Sequence, residues 1–478
     1  MLMLEAAPES EFGGNSRYTA GAMRFAYTEH DDILDLLADT TDPRLARTDF
    51  GTYPVAQFRR DLLDFGGGRA LSAQQTLLIN ESQSLMRWLK ELGIAFAPIY
   101  SRQAFERDDK YQFWGGLTLN AVGEGDGLVQ RQRNAFLKGG GEIRYDCQVE
   151  ALITRDDKVC GVSATTPAST AANTAGREDF FAAAVVLACG GFEANAARRA
   201  ERLGEHWQHA RVRGTRYNQG HGMTMAQAAG AAVAGKFDGC HATPMDAATP
   251  DYGNPDMPHI QRKNYRKISY PFGVMLNARG ERFVDEGKNF RNYTYAQYGR
   301  AILEQPQQCA WQFFDAQAME LLYEEYRVDF ATRFVAPTLE GLIGQLDGID
   351  QPAALSTLTN YNAAVNDAVV FDPTTLDGRA TQGLALNKTN WATRLECAPF
   401  YAYPVVCGIT FTYGGLAVST DGEVLSDRNQ GSAIEGLYAA GELVGGLFFE
   451  GYPGGSGLTA GGVFGRAAGY SAAAFING

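Results

Sequence analysis

Apolar and polar positions along the chain follow helical and strand spacings in alternation. Apolar residues recur at helical spacing over 31–37 and again over 72–92. Short apolar runs at 1–4, 183–192 and 434–446 each lead into small residues, which predicts buried strands that end in turns. Strands that alternate with helices in this way are typical of an α/β fold.

The segments between these elements carry weaker patterns. Residues 141–162 alternate as two strands about a central acidic pair, which predicts a hairpin, and 218–235 reads as a helix of small residues. The glycine-rich stretch 112–129 fits either a plain loop or the approach to a helix beside a ligand. Residues 167–177 are predicted to form a surface loop, and 338–366 to form helices with polar connections.

Composition then limits the class of protein. The chain has 478 residues, of which 45% are hydrophobic and 20% charged, as in globular proteins with room for two domains. Its net charge of −13 argues against nucleic acid binding. We see no apolar run of about 18 residues and no signal peptide, so no membrane span is expected.

The seven cysteines are scattered and form no C-x-x-C motif. This spacing argues against a disulfide framework, a metal site or an iron–sulfur cluster in this chain. We therefore expect a cytoplasmic protein, peripheral to the inner membrane only through an electron acceptor.

The N-terminal stretch carries the first candidate binding residues. In a dinucleotide-binding sheet, an acid that ends the second strand accepts hydrogen bonds from ribose hydroxyls. A glycine turn that runs into small residues lets backbone N–H groups approach phosphate, although an ordinary strand and turn would read the same way. The candidate cofactor residues here are Glu5, Gly13, Gly14, Asn15, Ser16, Gly21 and Ala22.

Three later segments repeat the pattern of a strand followed by glycines. The last of them, 452–469, opens with glycines and becomes a helix of small residues, which could pack on a flat ring and a pyrophosphate. Four such turns in one chain predict a single shared cofactor site. The candidate cofactor residues in these segments are Ala188, Cys189, Gly190, Gly441, Glu442, Ser456, Gly457 and Leu458.

Over nearly its whole length the chain resembles the superfamily of FAD-dependent fumarate reductases, succinate dehydrogenases and 3-ketosteroid dehydrogenases. The similar segments are LEAAPESEFGGNSRYTAGAM, LACGGF, NQGHGMTMAQAAGA, ARGERFVDE, APFYAYPV and GLYAAGELVGG. FTYGGL and FFEGYPGGSGL are most similar to the tricarballylate dehydrogenase-like branch.

This resemblance implies a Rossmann-like FAD-binding domain at 1–235 and 395–478, with an α+β capping domain inserted at 236–394. It also implies that Val149 offers backbone hydrogen bonds to the adenine. His221 stands where relatives carry an aspartate. FAD is expected to bind non-covalently, because no histidine adjoins the turn at 13–16.

The chain departs from the family pattern at its start. Relatives begin with a strand and a G-x-G-x-x-G turn roughly 20 residues before the ribose-binding acid, whereas four residues precede Glu5. We therefore expect the Rossmann-like domain to lack its first strand, and FAD retention to be weak or absent.

The predicted capping domain contains a basic segment at 262–300, which has nine basic residues and only three acidic ones. Arginine binds carboxylates through a planar fork and stays charged, so the segment predicts a site for a substrate with several carboxylates. The alternative is a solvated face, to which Lys263, Lys267 and Arg279 would belong. The nine residues are Arg262, Lys263, Arg266, Lys267, Arg279, Arg282, Lys288, Arg291 and Arg300.

The resemblance assigns roles to some of these positions. Arg291 corresponds to a proton-donating arginine with Glu286 as its relay, unless it simply pairs with Asp285 or Glu286. His241 lies where relatives bind a carboxylate, although a lone histidine is often structural. Tyr452 replaces a substrate arginine of fumarate reductases and is similar to the ketone-polarising tyrosines of ketosteroid dehydrogenases.

The leading hypothesis is an FAD-dependent enzyme that dehydrogenates CH–CH groups of a small polycarboxylate, as in tricarballylate to cis-aconitate. Its carboxylates would bind Arg262, Arg266, Arg291 and His241, and its electrons would pass to a separate protein, such as an iron–sulfur membrane protein. A 3-ketosteroid Δ1-dehydrogenase or fumarate reductase activity is the enzymatic alternative. A truncated, flavin-poor and non-catalytic homologue is the alternative of another class.

Overall fold

The structure is a computed structural model that describes residues 1–166, 176–429 and 431–478. The predicted loop at 167–177 lies outside the described residues except for its last two positions, which begin a strand. Helices α1 to α12 occupy, in chain order, His30–Leu34, Val55–Asp64, Ala73–Glu91, Tyr100–Gln103, Glu124–Lys138, Ala196–Leu203, His221–Ala228, His259–Arg262, Arg291–Leu303, Leu339–Ile343, Gln351–Ala364 and Ser456–Asn477.

Strands β1 to β22 occupy Leu2–Leu4, Ala22–Met23, Thr48–Asp49, Phe96–Pro98, Ala104–Arg107, Lys110–Phe113, Leu119–Ala121, Glu142–Arg144, Gln148–Arg155, Lys158–Thr166, Gly176–Phe181, Val185–Leu187, Arg211–Val212, Val233–Ala234, Cys240–Asp246, Val274–Asn277, Cys309–Asp315, Phe334–Ala336, Phe400–Thr412, Gly415–Leu416, Glu423–Leu425 and Ala433–Ala439. Among the described residues, no helix is both long and apolar enough to cross a bilayer.

The long helices follow from their capping residues and apolar faces. Ser72 caps α3, because its hydroxyl accepts a hydrogen bond from the Gln75 amide while the Gln75 side chain accepts one from the Ser72 amide. Leu78, Leu85 and the other apolar residues of one face of α3 are buried and pack against α12. The predicted helix at 72–92 is confirmed.

Parallel strand pairs confirm the predicted α/β class. β1 pairs in parallel with β8, and β12 pairs in parallel with β22, so the strand at 185–187 and the strand at 433–439 lie in one sheet. β9 and β10 form the predicted hairpin, and β11 extends it. A hydrogen bond from Asn15 to Glu193 joins the turn that follows β1 to the turn that follows β12.

The middle of the chain forms a six-stranded sheet around β19. This strand pairs with β13, β15, β17 and β18, while β16 pairs with β17. Val274, Phe313 and Ala402 form part of a buried cluster on this sheet, against α10 and α11. The boundary at 394–395 stays a prediction, but the sheet of the middle region continues to Thr412.

Two sequence predictions differ in detail from the structure. The helix predicted at 218–235 covers only His221–Ala228, because Gly230 adopts φ +89° and the chain then forms β14. The ambiguous stretch 112–129 contains strand β7 and the start of α5. Its glycines therefore join a strand to a helix.

Candidate functional site

The end of β19, residues 410–412, brings several predicted cofactor residues together. Asn15 donates through Nδ2 to the carbonyl oxygen of Thr410 at 2.6 Å. Glu442 accepts through Oε1 from the amide of Thr412 at 2.7 Å and from its hydroxyl at 3.0 Å. The turn after β1 and the turn after β22 therefore meet at one point.

Phe411 lies between these two contacts and forms one wall of an aromatic group. Its ring stacks on His241 at 5.1 Å between centroids, and His241 also contacts Tyr295 and Tyr452, each at 4.9 Å. The hydroxyls of the two tyrosines are 2.9 Å apart. Burial, and then the charge of Arg213, hold the pKa of His241 well below its usual value, so its ring is neutral at pH 7.

The predicted adenosine-binding residues lie directly after the end of β1 and near the start of β9. Glu5 accepts hydrogen bonds from the amides of Ala7 at 3.0 Å and Gly13 at 3.5 Å. Its carbonyl oxygen accepts from the amide of Cys147 at 2.9 Å, two residues before Val149. Glu5 and Val149 are therefore neighbours, as one adenosine site requires.

The remaining predicted cofactor residues line turns around this region. Gly21 and Ala22 pack beside the starts of α5 and α12, and Ser16 lies in the turn that leads to them. Ala188 and Cys189 are exposed just after β12, and Gly190 follows them with φ +71°. His221 is exposed at the first position of α7.

These residues fit FAD. A Cβ built on Gly14 or on Gly441 would have no heavy atom within 4 Å, so both turns leave open space. Ser456 begins α12 with a fully buried hydroxyl that has no hydrogen-bond partner in the described part of the chain, and Gly457 and Leu458 add amides of the first turn. The N-terminus of a long helix favours a pyrophosphate. Glu5, Asn15, Gly190, Glu442 and Ser456 would hold the cofactor.

Buried cations form a second part of the site, which we call the cation cluster: Arg102, Lys263, Arg266 and Arg291. Arg102 and Arg266 both donate to Oε1 of Glu325, at 2.7 and 2.8 Å. Burial opposes ionisation of Glu325, but Arg102, Arg266 and Lys263 overcome it and lower its pKa to about 2. Glu325 is therefore charged, and the cluster retains excess positive charge.

Arg291 lies at the first position of α9, between two aromatic rings. Its guanidinium carbon is 4.6 Å from the centroid of Trp114 and 4.0 Å from that of Tyr323. Its Nη2 is buried and has no hydrogen-bond partner among the residues that the structure describes. Burial, and then the nearby charge of Arg102, hold its pKa well below the usual value of an arginine.

Arg213 connects the cation cluster to the end of β19. It donates to the hydroxyl of Thr410 at 3.3 Å and to the carbonyl oxygen of Tyr18 at 3.1 Å. Its Nε has no hydrogen-bond partner among the described residues. Burial, and then the charge of Arg266, lower its pKa to about 9. The predicted cofactor residues and the cation cluster are therefore parts of one continuous region.

Two predicted catalytic residues make other contacts. Glu286 binds Arg282 and accepts from the amide of Met275 at 2.8 Å, so the structure does not bring it to Arg291 as a relay. Neither Asp285 nor Glu286 pairs with Arg291 among the described residues.

Arg262 also lies outside the cation cluster as we define it. It donates to both oxygens of Glu11, at 2.8 and 3.1 Å, and to the hydroxyl of Tyr18 at 3.2 Å. Its donors therefore join α8 to the N-terminal turn, whereas Arg266 and Arg291 lie near one another as predicted.

No local sequence pattern indicates a role for Arg102, Arg213 or Glu325. Each lies outside the basic segment at 262–300 and outside the glycine turns. Arg102 is 223 residues from Glu325 in the chain, so no local pattern could connect them. Arg213 lies in a run of three arginines at 211–216, and only the structure shows that it is the buried one, since Arg211 and Arg216 are exposed.

Comparison with known proteins assigns the family. The family described as FAD binding domain matches residues 7–458. The chain belongs to this FAD binding domain family. It is 27% identical over 486 aligned positions to a probable fumarate reductase of Shewanella frigidimarina. The alignment covers 99% of this chain and 70% of that protein.

Other members of the FAD binding domain family show the same similarity. A 3-oxosteroid 1-dehydrogenase of Mycolicibacterium smegmatis is 27% identical over 71% of this chain and 61% of its own length. The open conformation of a flavocytochrome c3 fumarate reductase superposes with a TM-score of 0.70 at 24% identity, over 99% of this chain and 74% of that one. The last comparison supports the fold alone.

The chain spans only part of several relatives, down to 32% and 30% of two cytochrome-type fumarate reductases of Shewanella frigidimarina. Membership of the FAD binding domain family makes the protein an FAD-dependent oxidoreductase related to fumarate reductases and 3-ketosteroid dehydrogenases. The predictions of family, fold class and FAD as cofactor are confirmed.

Proposed function

We propose that the protein dehydrogenates a small polycarboxylate, of the tricarballylate-to-cis-aconitate type, and passes the electrons to a separate protein. One observation carries this proposal: buried nitrogen atoms that could bind carboxylate oxygens lack partners. Of the buried nitrogen atoms that have no hydrogen-bond partner among the described residues, four lie at the cation cluster or at the end of β19: Arg213 Nε, Arg291 Nη2, Trp114 Nε1 and His241 Nδ1. Buried donors of this kind require an acceptor, which the carboxylates of a substrate would supply.

The charge of the region supports an anionic substrate. Arg102, Arg266 and Arg291 are each less than a tenth exposed, while Glu325 is the carboxylate that joins the first two. Cations gathered at this depth repel one another unless an anion compensates them. A neutral steroid would leave that repulsion uncompensated.

Arg291 is our candidate for the proton transfer. Its guanidinium normally keeps its proton, but burial and the neighbouring cations make release easier, so Nη2 could take the proton beside a substrate carboxylate. Glu325 replaces Glu286 as the candidate carboxylate for exchanging that proton. When bound, FAD supplies the acceptor for the hydride from the adjacent carbon.

Neutral His241 would orient the substrate. Its ring is fixed by Phe411, Tyr295 and Tyr452, and its Nδ1 has no partner. A rigid ring with one unpartnered nitrogen can fix a carboxyl group without adding another charge. The surrounding aromatic rings would exclude water from the reacting carbons.

A ketone substrate is the second candidate. Tyr452 accepts from the amide of Gly455 at 3.1 Å and lies 2.9 Å from the hydroxyl of Tyr295. Paired tyrosine hydroxyls can polarise a ketone oxygen. The paired hydroxyls favour a 3-ketosteroid substrate. The buried positive charge of the cation cluster disfavours it, because a steroid is neutral.

An assay of the chain supplied with FAD tests these alternatives. Tricarballylate, succinate and a 3-ketosteroid would be compared as electron donors to a dye, and fumarate as an acceptor from a reduced dye. We expect tricarballylate to be the best substrate. A preference for the steroid would favour the second candidate, and failure to bind any flavin would favour a non-catalytic role.

Two arginine variants would connect the activity to the site. Arg291→Lys should lower kcat by about 100-fold or more, because lysine lacks the planar fork and the guanidinium nitrogen that is proposed to take the proton. Arg279→Lys is the matched control, since Arg279 is exposed in the same basic segment. Equal activity of both variants would contradict the role proposed for Arg291.

A further inference from the structure

Two glutamates from different glycine turns, Glu193 and Glu442, lie against each other at the cofactor site, the first fully buried and the second partly buried. Glu193 follows the turn after β12, and Glu442 follows β22; Glu193 is 0% exposed. Their carboxyl groups lie within hydrogen-bond reach of each other. Two carboxylates at this separation cannot both remain charged in an apolar environment without strong repulsion.

The hydrogen bonds around Glu193 show which oxygen needs a proton. Its Oε1 accepts from Nδ2 of Asn15 and from Nδ2 of Asn218, both at 2.6 Å. Its Oε2 is buried and no N–H or O–H group of the described residues donates to it. The neighbouring carboxyl of Glu442 is the available partner, and a proton on Oε2 would satisfy both groups.

The contacts of Glu442 indicate that it is the acceptor. Its Oε1 already accepts from the amide and the hydroxyl of Thr412, and the Gly191 amide lies close enough to donate as well. A Cβ built on Gly191 would overlap this carboxylate, so the backbone approaches it closely. Several donors stabilise the charged form of Glu442, whereas Glu193 has donors at one oxygen.

We propose that Glu193 and Glu442 hold one proton between them in the folded protein, with Oε2 of Glu193 donating to Glu442. Protonated Glu193 is then a positioning residue. Its other oxygen fixes Asn15 and Asn218, while its proton fixes Glu442, so one neutral carboxyl sets three side chains at the FAD site. This inference rests on the FAD site and not on the identity of the substrate.

The other titratable groups near the pair do not supply an alternative partner. Arg199 donates to the backbone carbonyl oxygen of Glu193, and burial lowers the pKa of this arginine. Burial raises the pKa of the Cys240 thiol to about 12, so it stays neutral. Burial, and then the charge of Glu442, raise the pKa of Glu193 well above its usual value.

Infrared spectroscopy of the wild-type protein tests the proposal directly. We expect the carbonyl stretching band of a protonated carboxyl at pH 7, and this band should shift when glutamate is labelled with carbon-13. Among the described residues, Glu193 and Glu442 are the carboxyls with a raised pKa. Absence of a protonated glutamate band at pH 7 would overturn the proposal whether or not any variant folds.

Variants identify the residue and its role. Glu193→Gln keeps an acceptor for Asn15 and offers an N–H group to Glu442, so it should fold with wild-type stability at pH 7 and lack the band. Glu193→Ala removes both the acceptor for Asn15 and the donor to Glu442, so this variant should unfold at a lower temperature than the wild type. Glu396→Gln, at an exposed position, is the control and should retain the band.

The pH profile of stability separates a shared proton from simple packing. Because the folded pKa of Glu193 is raised, the folded state binds one proton more than the unfolded state above pH 4.5, and stability falls as the pH rises through the folded pKa. Glu193→Gln should lose this fall. A variant profile parallel to that of the wild type would contradict the proposal, independently of any substrate assay.

Discussion

Glu325 determines the net charge of the cation cluster at the scale of single residues. It is 0% exposed and is shared by Arg102 and Arg266. A buried carboxylate without partners would be strongly destabilising, but here two guanidinium groups donate to the same oxygen. Its charge therefore keeps the arginines close together in the absence of substrate.

This arrangement predicts an acid-sensitive stability. The folded pKa of Glu325 is about 2 and its usual value is 4.5, so its contribution is present above pH 4.5 and is lost as the pH falls towards 2. The difference corresponds to about 3 kcal/mol. Urea unfolding between pH 2 and 7 should show a loss of stability on acidification that is larger in the wild type than in Glu325→Gln by about this amount, because other carboxyls with a lowered pKa, such as Glu11 and Asp32, titrate in both proteins.

The exposed neighbour provides the control. The side chain of Glu324 is 65% exposed and its nearest contacts are 3.8 Å from Arg102 and 3.6 Å from Lys263. Glu324→Gln should change the free energy of unfolding by about 0.5 kcal/mol or less. A larger effect for Glu324 than for Glu325 would show that the buried pair does not stabilise the fold.

At the scale of elements, α12 positions the site through its first residues. Gly455 precedes the helix with φ +87°, and a Cβ there would overlap the Leu117 side chain. The same turn is bonded to the N-terminal region, because the amide of Arg24 donates to the carbonyl oxygen of Gly455 at 3.2 Å. The helix start is therefore fixed against the strand that follows the first glycine turn.

A pair of glycine substitutions in and before α12 tests this role. Gly455→Ala should destabilise the protein by about 2 kcal/mol or more, because alanine is strained at this φ and would displace Leu117. Gly465→Ala, inside the helix with nothing near its Cβ, should instead stabilise by about 0.5–1 kcal/mol. Urea unfolding measures both. If both substitutions changed the free energy of unfolding in the same direction, the role proposed for Gly455 at the start of α12 would be contradicted.

At the scale of the whole molecule, ion pairs join the middle region to the N-terminal part. Arg262 contacts Glu11 at 2.8 Å, and Lys263 contacts Glu124 at 2.8 Å. Arg102 contacts Glu325 across the same boundary. These pairs hold 259–266 against the turns of the cofactor site, and we propose that Arg262 serves this contact and not the substrate.

Hydrogen exchange tests that assignment. Arg262→Gln should speed amide exchange in 255–266 and lower the free energy of unfolding by about 2 kcal/mol, because charge-assisted hydrogen bonds to Glu11 are lost. The KM for an acid substrate should change little. Arg279→Gln, at an exposed arginine, should leave exchange unchanged. A raised KM without faster exchange would return Arg262 to the substrate site.

Local residue patterns by themselves determined where the main elements and the cofactor turns lie. Helix 72–92 follows from periodicity and a capping serine, and the turns at 13–16 and 188–190 follow from glycines after apolar strands. Helical and strand spacing depends on neighbours within a few residues, so it can be read from the chain. The family resemblance added FAD.

The tertiary structure alone decided which charged residues meet. Asn15 reaches Glu193 across 178 residues, and Arg102 reaches Glu325 across 223. The basic segment predicted an anion site but could not separate Arg291, which has an unpartnered nitrogen, from Arg262, whose donors are engaged. Burial and pairing of charges depend on how distant segments pack, and no local spacing records that.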